Sequence, residues 1–250
     1  MAGYLRLELG RTFRAPAFLF HSLFVPVVLY LVLTHRGALE GPFASAPHAV
    51  ALVAVAAYSA LGAVLSYGTG VADERAAGWL RQLRLTPIPG STVFAGKAVT
   101  AVVLALPPVL VLCAVAVTVQ HVSLSPARWA VMVGVLWLGT VPFALLGLGL
   151  GYRYGAPRVQ WANLLALLVL GVLGGIAWPM QQLPHWLQSA GRLSPAHGYA
   201  DLAWRAVSAG ANPIGYDVAV LAGWAALFAL FAWSAQRKAA PYLPTPPRVR

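Results

Sequence analysis

Asp73-Glu-Arg-Ala-Ala-Gly-Trp-Leu-Arg-Gln-Leu-Arg-Leu-Thr-Pro87 is a charged island between two long apolar runs, 49–71 and 98–119. Its pattern predicts a short amphipathic helix. Asp73 has the chemistry of an N-cap, Glu74 adds negative charge to the first turn, and Arg84 falls in the last. Ala76, Trp79, Leu80 and Leu83 follow the i, i+3, i+4, i+7 rule and form one apolar stripe, with Arg75, Arg81, Gln82 and Arg84 off it. Thr86 precedes Pro87, which disfavours further helix. Held between two membrane spans, such a helix is a handle by which another protein can move the membrane part.

Composition sets the class. The 250 residues are 60% hydrophobic and 9% charged, with mean hydropathy +0.74. Soluble domains carry about 25% charge, so the chain reads as an all-α integral membrane protein. The single cysteine, Cys113, excludes an internal disulfide and a Cys-rich metal site; in its apolar run it reads as an inert buried thiol.

Six segments are apolar enough to span, near 17–34, 49–71, 98–119, 129–151, 161–178 and 217–235; a span takes about 20 residues. The first apolar run follows three arginines but lacks a small-residue cleavage site, so it reads as a retained span rather than a signal peptide. Lys and Arg then give the orientation. Arg6, Arg11, Arg14, Arg75, Arg81, Arg84, Lys97, Arg153, Arg158, Arg237, Lys238, Arg248 and Arg250 fall on one side, and Arg36, Arg128, Arg192 and Arg205 on the other. The positive-inside rule puts the first side, with both termini, in the cytoplasm. The net charge of +11 is therefore topological, with anionic lipid headgroups as its partners, and not a nucleic-acid footprint. Trp129, Trp161, Trp178 and Trp233 mark span ends as an aromatic belt does.

No proposed span holds an Asp, Glu, Lys or Arg away from its edge, and His21 is the only imidazole inside one. Ion-driven transporters carry buried ionisable residues along their path, so the energy for any transport is expected from outside the bilayer. Tyr58, Ser59, Ser66, Tyr67 and Thr69 in the second span and Asn163 in the fifth are polar spots, read first as interhelical hydrogen bonding and second as substrate contacts. Gly147-x-x-x-Gly151 and Gly171-x-x-x-Gly175 suit close helix packing. Residues 4–14, with Leu5, Leu9 and Phe13 in a row, suit an interfacial helix. The 38 residues Pro179–Tyr216 are too long for a plain connector and too apolar for a solvated loop; prolines divide them into two short helices, one around Leu183–Leu193 and one around Tyr199–Ala206, read as dipping into the outer leaflet.

At this point the chain resembles the membrane subunit of an ABC transporter of the ABC-2 (type V exporter) group, which includes bacterial drug and antibiotic efflux permeases. The resemblance covers nearly the whole chain, as one transmembrane domain over 1–240 with a basic Pro-rich tail over 241–250. It rests on the basic N-terminal segment ending Arg14-Ala-Pro16 with Pro26 in the first span, on Glu74-Arg75-x-x-Gly78-x-Leu80-x-x-Leu83-x-x-Thr86-Pro87, and on Trp178-Pro179, Leu183-Pro184 and Leu193-Ser-Pro195. It implies that Glu74, Arg75, Gly78, Leu80, Leu83 and Thr86 belong to a coupling helix that docks on the ATPase subunit. It also implies that the outer helices carrying Pro179, Leu183, Pro184, Leu193 and Pro195 close the exit. A second copy of the permease or a relative completes the path, in a bacterial cell (inner) membrane. The absence of charged path residues favours amphipathic or hydrophobic cargo.

The chain lacks a nucleotide site of its own. Gly90-Ser-Thr-Val-Phe-Ala-Gly96-Lys97-Ala98 has one residue too many for a P-loop and Ala where magnesium needs a hydroxyl, so ATP and Mg are expected on the partner ATPase, with no cofactor or metal on this chain. Two other classes compete. An intramembrane serine protease would draw on Ser194 and His197, but no nucleophile turn surrounds Ser194 and no late span supplies a histidine. A passive channel or scaffold would need no partner. His21, His35, His48, His121, His185 and His197 form no His-x-x-x-His pair.

Overall fold

A computed structural model describes residues 20–35, 48–78, 90–178, 180–208 and 213–239. Among them every regular element is helical. A π-helical turn, Phe20–Phe24, leads into α1 (Val25–Thr34); then come α2 (His48–Ala76), α3 (Gly90–Val103), α4 (Leu106–Thr118), α5 (Pro126–Leu138), α6 (Val141–Arg153) and α7 (Ala156–Leu173). A 3-10 turn, Met180–Gln182, precedes two short helices, α8 (His185–Arg192) and α9 (Pro195–Trp204), and the long α10 (Ile214–Ala239) closes the chain.

Five helical stretches are long and apolar enough to cross a membrane: α2, α3 with α4, α5 with α6, α7, and α10. Ser22–Thr34 is a shorter apolar helix, and residues 17–19 of the expected first span lie outside the described residues, as do the expected interfacial helix 4–14 and the tail 241–250. The helices run past the apolar windows that announce them. At about 1.5 Å per residue, the 29 residues of α2 reach roughly 44 Å, more than the ~30 Å of hydrocarbon. The fifth span, by contrast, ends at Leu173, five residues early: Gly174 and Gly175 follow, and Gly175 has φ +71°, a left-handed conformation open to glycine.

One end of the bundle gathers the C-termini of α2, α6 and α10 and the N-termini of α3 and α7. It carries Arg75, Lys97, Arg153, Arg158, Arg237 and Lys238, and is called the basic end here; α8 and α9 lie at the far end. Gln236 Nε2 on α10 bonds the Gly90 carbonyl at 2.9 Å, and Arg75 bonds the end of α6, so these termini meet in space.

The core is centred on α2, which packs with α4, α5, α6 and α9, while α10 lies against the outside of α6. The expected close approach at Gly147-x-x-x-Gly151 is present: a Cβ on Gly68 would sit 2.1 Å from the Gly147 carbonyl oxygen, and one on Gly151 2.3 Å from that of Gly68. Gly149, on the opposite face, admits the Phe231 ring of α10. The second pattern splits: Gly171 makes room for Tyr58, while Gly175 serves the turn. Outward faces are apolar where lipid or another chain would meet them, with Trp161, Leu165 and Leu168 on α7 and Leu227, Leu230 and Trp233 on α10 exposed.

Two spans are broken in mid-course. Pro107 and Pro108 separate α3 from α4, and Pro142 separates α5 from α6. Proline has no N–H for the carbonyl four residues back, and its ring crowds that turn. In an apolar medium, carbonyls at such breaks need other donors. Trp137 Nε1 supplies the Val102 carbonyl at 3.0 Å. At the second break Thr140 N–H bonds Trp137 rather than Leu136, and the Tyr199 hydroxyl donates to the Leu136 carbonyl at 2.8 Å.

Gly68→Ala forces two backbones apart, whereas a Cβ on Gly70 meets nothing within 4 Å. Gly68→Ala is expected to cost about 1–3 kcal/mol and Gly70→Ala nothing measurable, read as thermal unfolding in detergent; equal melting of the two would refute this packing.

Candidate functional site

The charged stretch is not a helix of its own at its start. Asp73, Glu74 and Arg75 form the last turn of α2, so Asp73 is not an N-cap and the negative charge of Glu74 lies at a helix C-terminus, where the dipole disfavours it. The helix runs on because Ala72–Ala76 are as compatible with helix as the residues before them. It stops at Gly78, whose φ of +75° ends it in a left-handed turn, with Ala77 N–H bonded to Asp73 and Gly78 N–H to Arg75. No other part of the described chain comes within 4 Å of a Cβ at Gly78. Within the described chain its glycine serves the turn.

What offsets the placement of Glu74 is a partner invisible to local reading. Lys97, two turns into α3, is fully buried, and its Nζ lies 2.5 Å from Glu74 Oε2; the Glu74 side chain is only 8% exposed. The ammonium also lies 5.8 Å from the centre of the Tyr67 ring on α2, within cation–π range. The third span thus begins at Gly90, not near 98, and the Gly90–Lys97 string that imitates a P-loop is two turns of ordinary helix. Buried ion pairs contribute little net stability but punish loss of either partner. The pair accordingly fixes how the ends of α2 and α3 meet.

Arg75 turns the other way. Its Nη1 donates to the carbonyls of Gly151 at 2.8 Å and Tyr154 at 3.3 Å. These are orphan acceptors at the C-terminus of α6, where a cation also meets the negative end of the helix dipole. Tyr152 and Phe94 pack beside it with ring centres 6.1 Å apart. Glu74 and Arg75 therefore bind the last turn of α2 to α3 and to α6. Of the six residues expected in a coupling helix, Glu74, Arg75 and Gly78 are brought together here, while Leu80, Leu83 and Thr86 lie outside the described residues.

The polar spots inside the spans mostly bond to the chain itself. Ser59 Oγ donates to Val55 O within α2 at 2.6 Å, Tyr67 faces Lys97, and Asn163 Nδ2 on α7 bonds Thr69 Oγ1 on α2 at 3.1 Å.

At the far end the expected pair of short helices is present as α8 and α9. Pro184 is the N-cap of α8 and Pro195 opens α9; Leu193, exposed, ends α8 and its carbonyl accepts from Trp224 Nε1 at 2.8 Å; Leu183 is half-buried. Pro179 lies outside the described residues. Sequence reading missed the cluster that fixes α9: Arg205 bonds Asp201 at 2.9 Å and Asp217 at 3.2 Å, both carboxylates buried. Only the spacing Asp201–Arg205, one helical turn, gave a local hint. Of the pair Ser194 and His197, the serine has a structural duty. Ser194 Oγ accepts from Ala196 N–H as the cap of α9. Burial pushes the His197 imidazole below its ordinary range, against the opposing pull of the Gly174 carbonyl and Asp201, and its Nδ1 finds no hydrogen-bond partner among the described residues.

Comparison with known proteins agrees with this architecture. The family described as ABC-2 family transporter protein matches residues 42–234, from before α2 into α10. A chain of Bacillus subtilis (strain 168), YvfS, named as a transport permease, is 26% identical over 234 residues, which cover 92% of this chain and 94% of that one.

Arg75→Met leaves the α6 carbonyls without their cation. The expected cost is about 1 kcal/mol, seen as faster amide exchange in the last turn of α6 with α10 unchanged; unaltered exchange there would show that Arg75 does not cap the helix.

Proposed function

The chain belongs to the ABC-2 transporter family, as a membrane permease subunit, and from that premise we propose that it forms the membrane path of an exporter powered by a separate ATPase subunit bound at the basic end. ABC transport implies a nucleotide-binding partner. The observation that carries the placement is the double anchorage of the last turn of α2, through Glu74 to Lys97 and through Arg75 to α6. A push on the residues that follow Gly78 is delivered at once to the second, third and fourth spans.

In this reading the contact with the ATPase falls on Leu80, Leu83 and Thr86, and Glu74 and Arg75 serve behind it as anchors. That division revises the expectation that all six residues face the partner, since Glu74 is buried against Lys97. The basic end is cytoplasmic by the positive-inside rule, ATP and Mg sit on the partner, and the membrane is the bacterial cell membrane. Six spans follow if residues 17–34 complete the first. The cargo is amphipathic or hydrophobic, because the buried ionisable groups of the spans, Glu74 with Lys97 and Asp217 with Arg205, sit near helix ends and pair with each other. The exposed Leu and Trp faces of α7 and α10 leave room for a second permease copy among the lipids.

The test is affinity purification of the tagged chain, expressed with its neighbouring genes, followed by mass spectrometry and an ATPase assay. A P-loop protein in equal amount, with vanadate-sensitive turnover, is expected. Leu83→Asp should release it, with roughly a tenfold loss of retained partner, the equivalent of about 1.4 kcal/mol, and with the melting of the permease unchanged. A chain that purifies alone under mild detergent contradicts the reading, and full retention by Leu83→Asp contradicts the docking surface.

A further inference from the structure

Helix α9 is ten residues long, Pro195–Trp204, and eight of them are buried. Each side of it is tied to a different element. Toward α10, Arg205 at its C-cap bridges Asp201 and Asp217, and a Cβ on Gly198 would approach the Asp217 carbonyl oxygen to 3.2 Å. Toward the end of α7, Gly174 lies against Ala196 closely enough that an added Cβ would meet it at 2.8 Å. The third side meets the break in the fourth span. Tyr199, fully buried, stacks edge-on against Phe143 just past the break, with ring centres 5.6 Å apart. Its hydroxyl reaches the Leu136 carbonyl just before it. Gly139, inside the break, is the space its ring occupies: a Cβ there would lie 2.5 Å from Tyr199 Cδ2.

The bond has an unusual acceptor. In an unbroken helix the Leu136 carbonyl would belong to Thr140 N–H, but that donor bonds Trp137. The tyrosine thus reads the conformation of the break. If the span straightened, Thr140 N–H would take one lone pair of that carbonyl and leave the other to the hydroxyl, as the Val102 carbonyl already accepts both Ala105 N–H and the Trp137 indole. A buried tyrosine hydroxyl without an acceptor is costly, so the hydroxyl stays with the Leu136 carbonyl as the bend changes. The other broken span is tied in through Trp137, one residue on, whose indole supplies Val102. The basic-end halves of both broken spans, α3 and α6, are the two helices anchored by Lys97 and Arg75 to the last turn of α2.

We propose that Tyr199 is a positioning residue for transport: the proline break at Pro142 sets the bend of the fourth span, and the Tyr199–Leu136 bond makes α9 follow that bend. Its role in transport rests on the permease reading; the mechanical link does not. Motion entering at the basic end through α6 would reach the far-end helices by this bond.

The test needs neither ATPase nor cargo. Spin labels are placed on exposed positions of the full chain in nanodiscs, in a Cys113→Ala background. Val131 with Tyr154 reports the bend, and Leu193 with Tyr154 reports α9 against the basic-end half; all three side chains are exposed. Pro142→Ala is expected to shift both distances by roughly 2 Å, the scale of helix shifts in switching proteins. In Pro142→Ala/Tyr199→Phe the first shift persists and the second is lost. Gly139→Ala, which displaces the same ring from the other side, should replace Tyr199→Phe with the same result. An unmoved bend in Pro142→Ala, an unmoved Leu193, or a Leu193 shift that survives both Tyr199→Phe and Gly139→Ala overturns the link. In the complex with the ATPase, vanadate trapping should move the Leu193–Tyr154 distance in the parent chain and not in Tyr199→Phe. Absence of any such complex contradicts the permease reading while the mutant distances stand.

Discussion

The buried contact between Glu74 and Lys97 is the constraint around which the basic end is arranged. A carboxylate in the last turn of a helix is opposed by the helix dipole, and an ammonium taken fully from water is costly. Each is tolerable only beside the other. Together they oblige α3 to start eight residues before its apolar run and to lie against α2 at a set height. Arg75, the next residue, then reaches the carbonyls that α6 leaves open. The charged turn thereby becomes the common root of three spans.

The rest of the bundle divides into rigid contacts and contacts that permit bending. Where α2 and α6 cross at Gly68, Gly147 and Gly151, the backbones touch and no side chain intervenes, so the two helices move as a unit near their basic ends. Above that crossing the third and fourth spans are broken by prolines, and Trp137 and Tyr199 donate to the carbonyls of Val102 and Leu136 beside the breaks. The far-end helix α9, tied to α10 by Arg205, rests on the second of these breaks. A stiff lower half and a jointed upper half suit the proposed role, in which motion is passed across a membrane.

Much of this was legible beforehand. Long apolar runs have few alternatives to spanning, and Pro184 and Pro195 mark the starts of α8 and α9 because proline favours a first turn. The glycine pairs announced close packing, correctly at Gly147 and Gly151. Other features were not legible, for reasons that can be stated. Hydropathy marks where a helix leaves lipid, not where it ends; α2 ends where Gly78 turns left-handed, so Asp73 was misplaced as a cap. The partner of Glu74 is 23 residues away and on another helix, and no local pattern points to it. Tyr199 bonds a backbone carbonyl, which carries no residue-type signal at all. Of Leu80, Leu83 and Thr86, on which the docking proposal turns, the two leucines are marked by motif and by the apolar stripe, and Thr86 by motif alone.

The most direct measurement of the central claim is a charge exchange at the anchoring pair. The turnover of the co-purified ATPase and the melting of the complex would be compared for Glu74→Lys, Lys97→Glu and the two together. Each single change buries two like charges side by side and should abolish coupled turnover and lower the melting temperature sharply. The exchanged pair should recover a large part of both. Single variants that behave like the parent chain, or an exchanged pair no better than the singles, would contradict the claim that this contact binds the loop root to the spans.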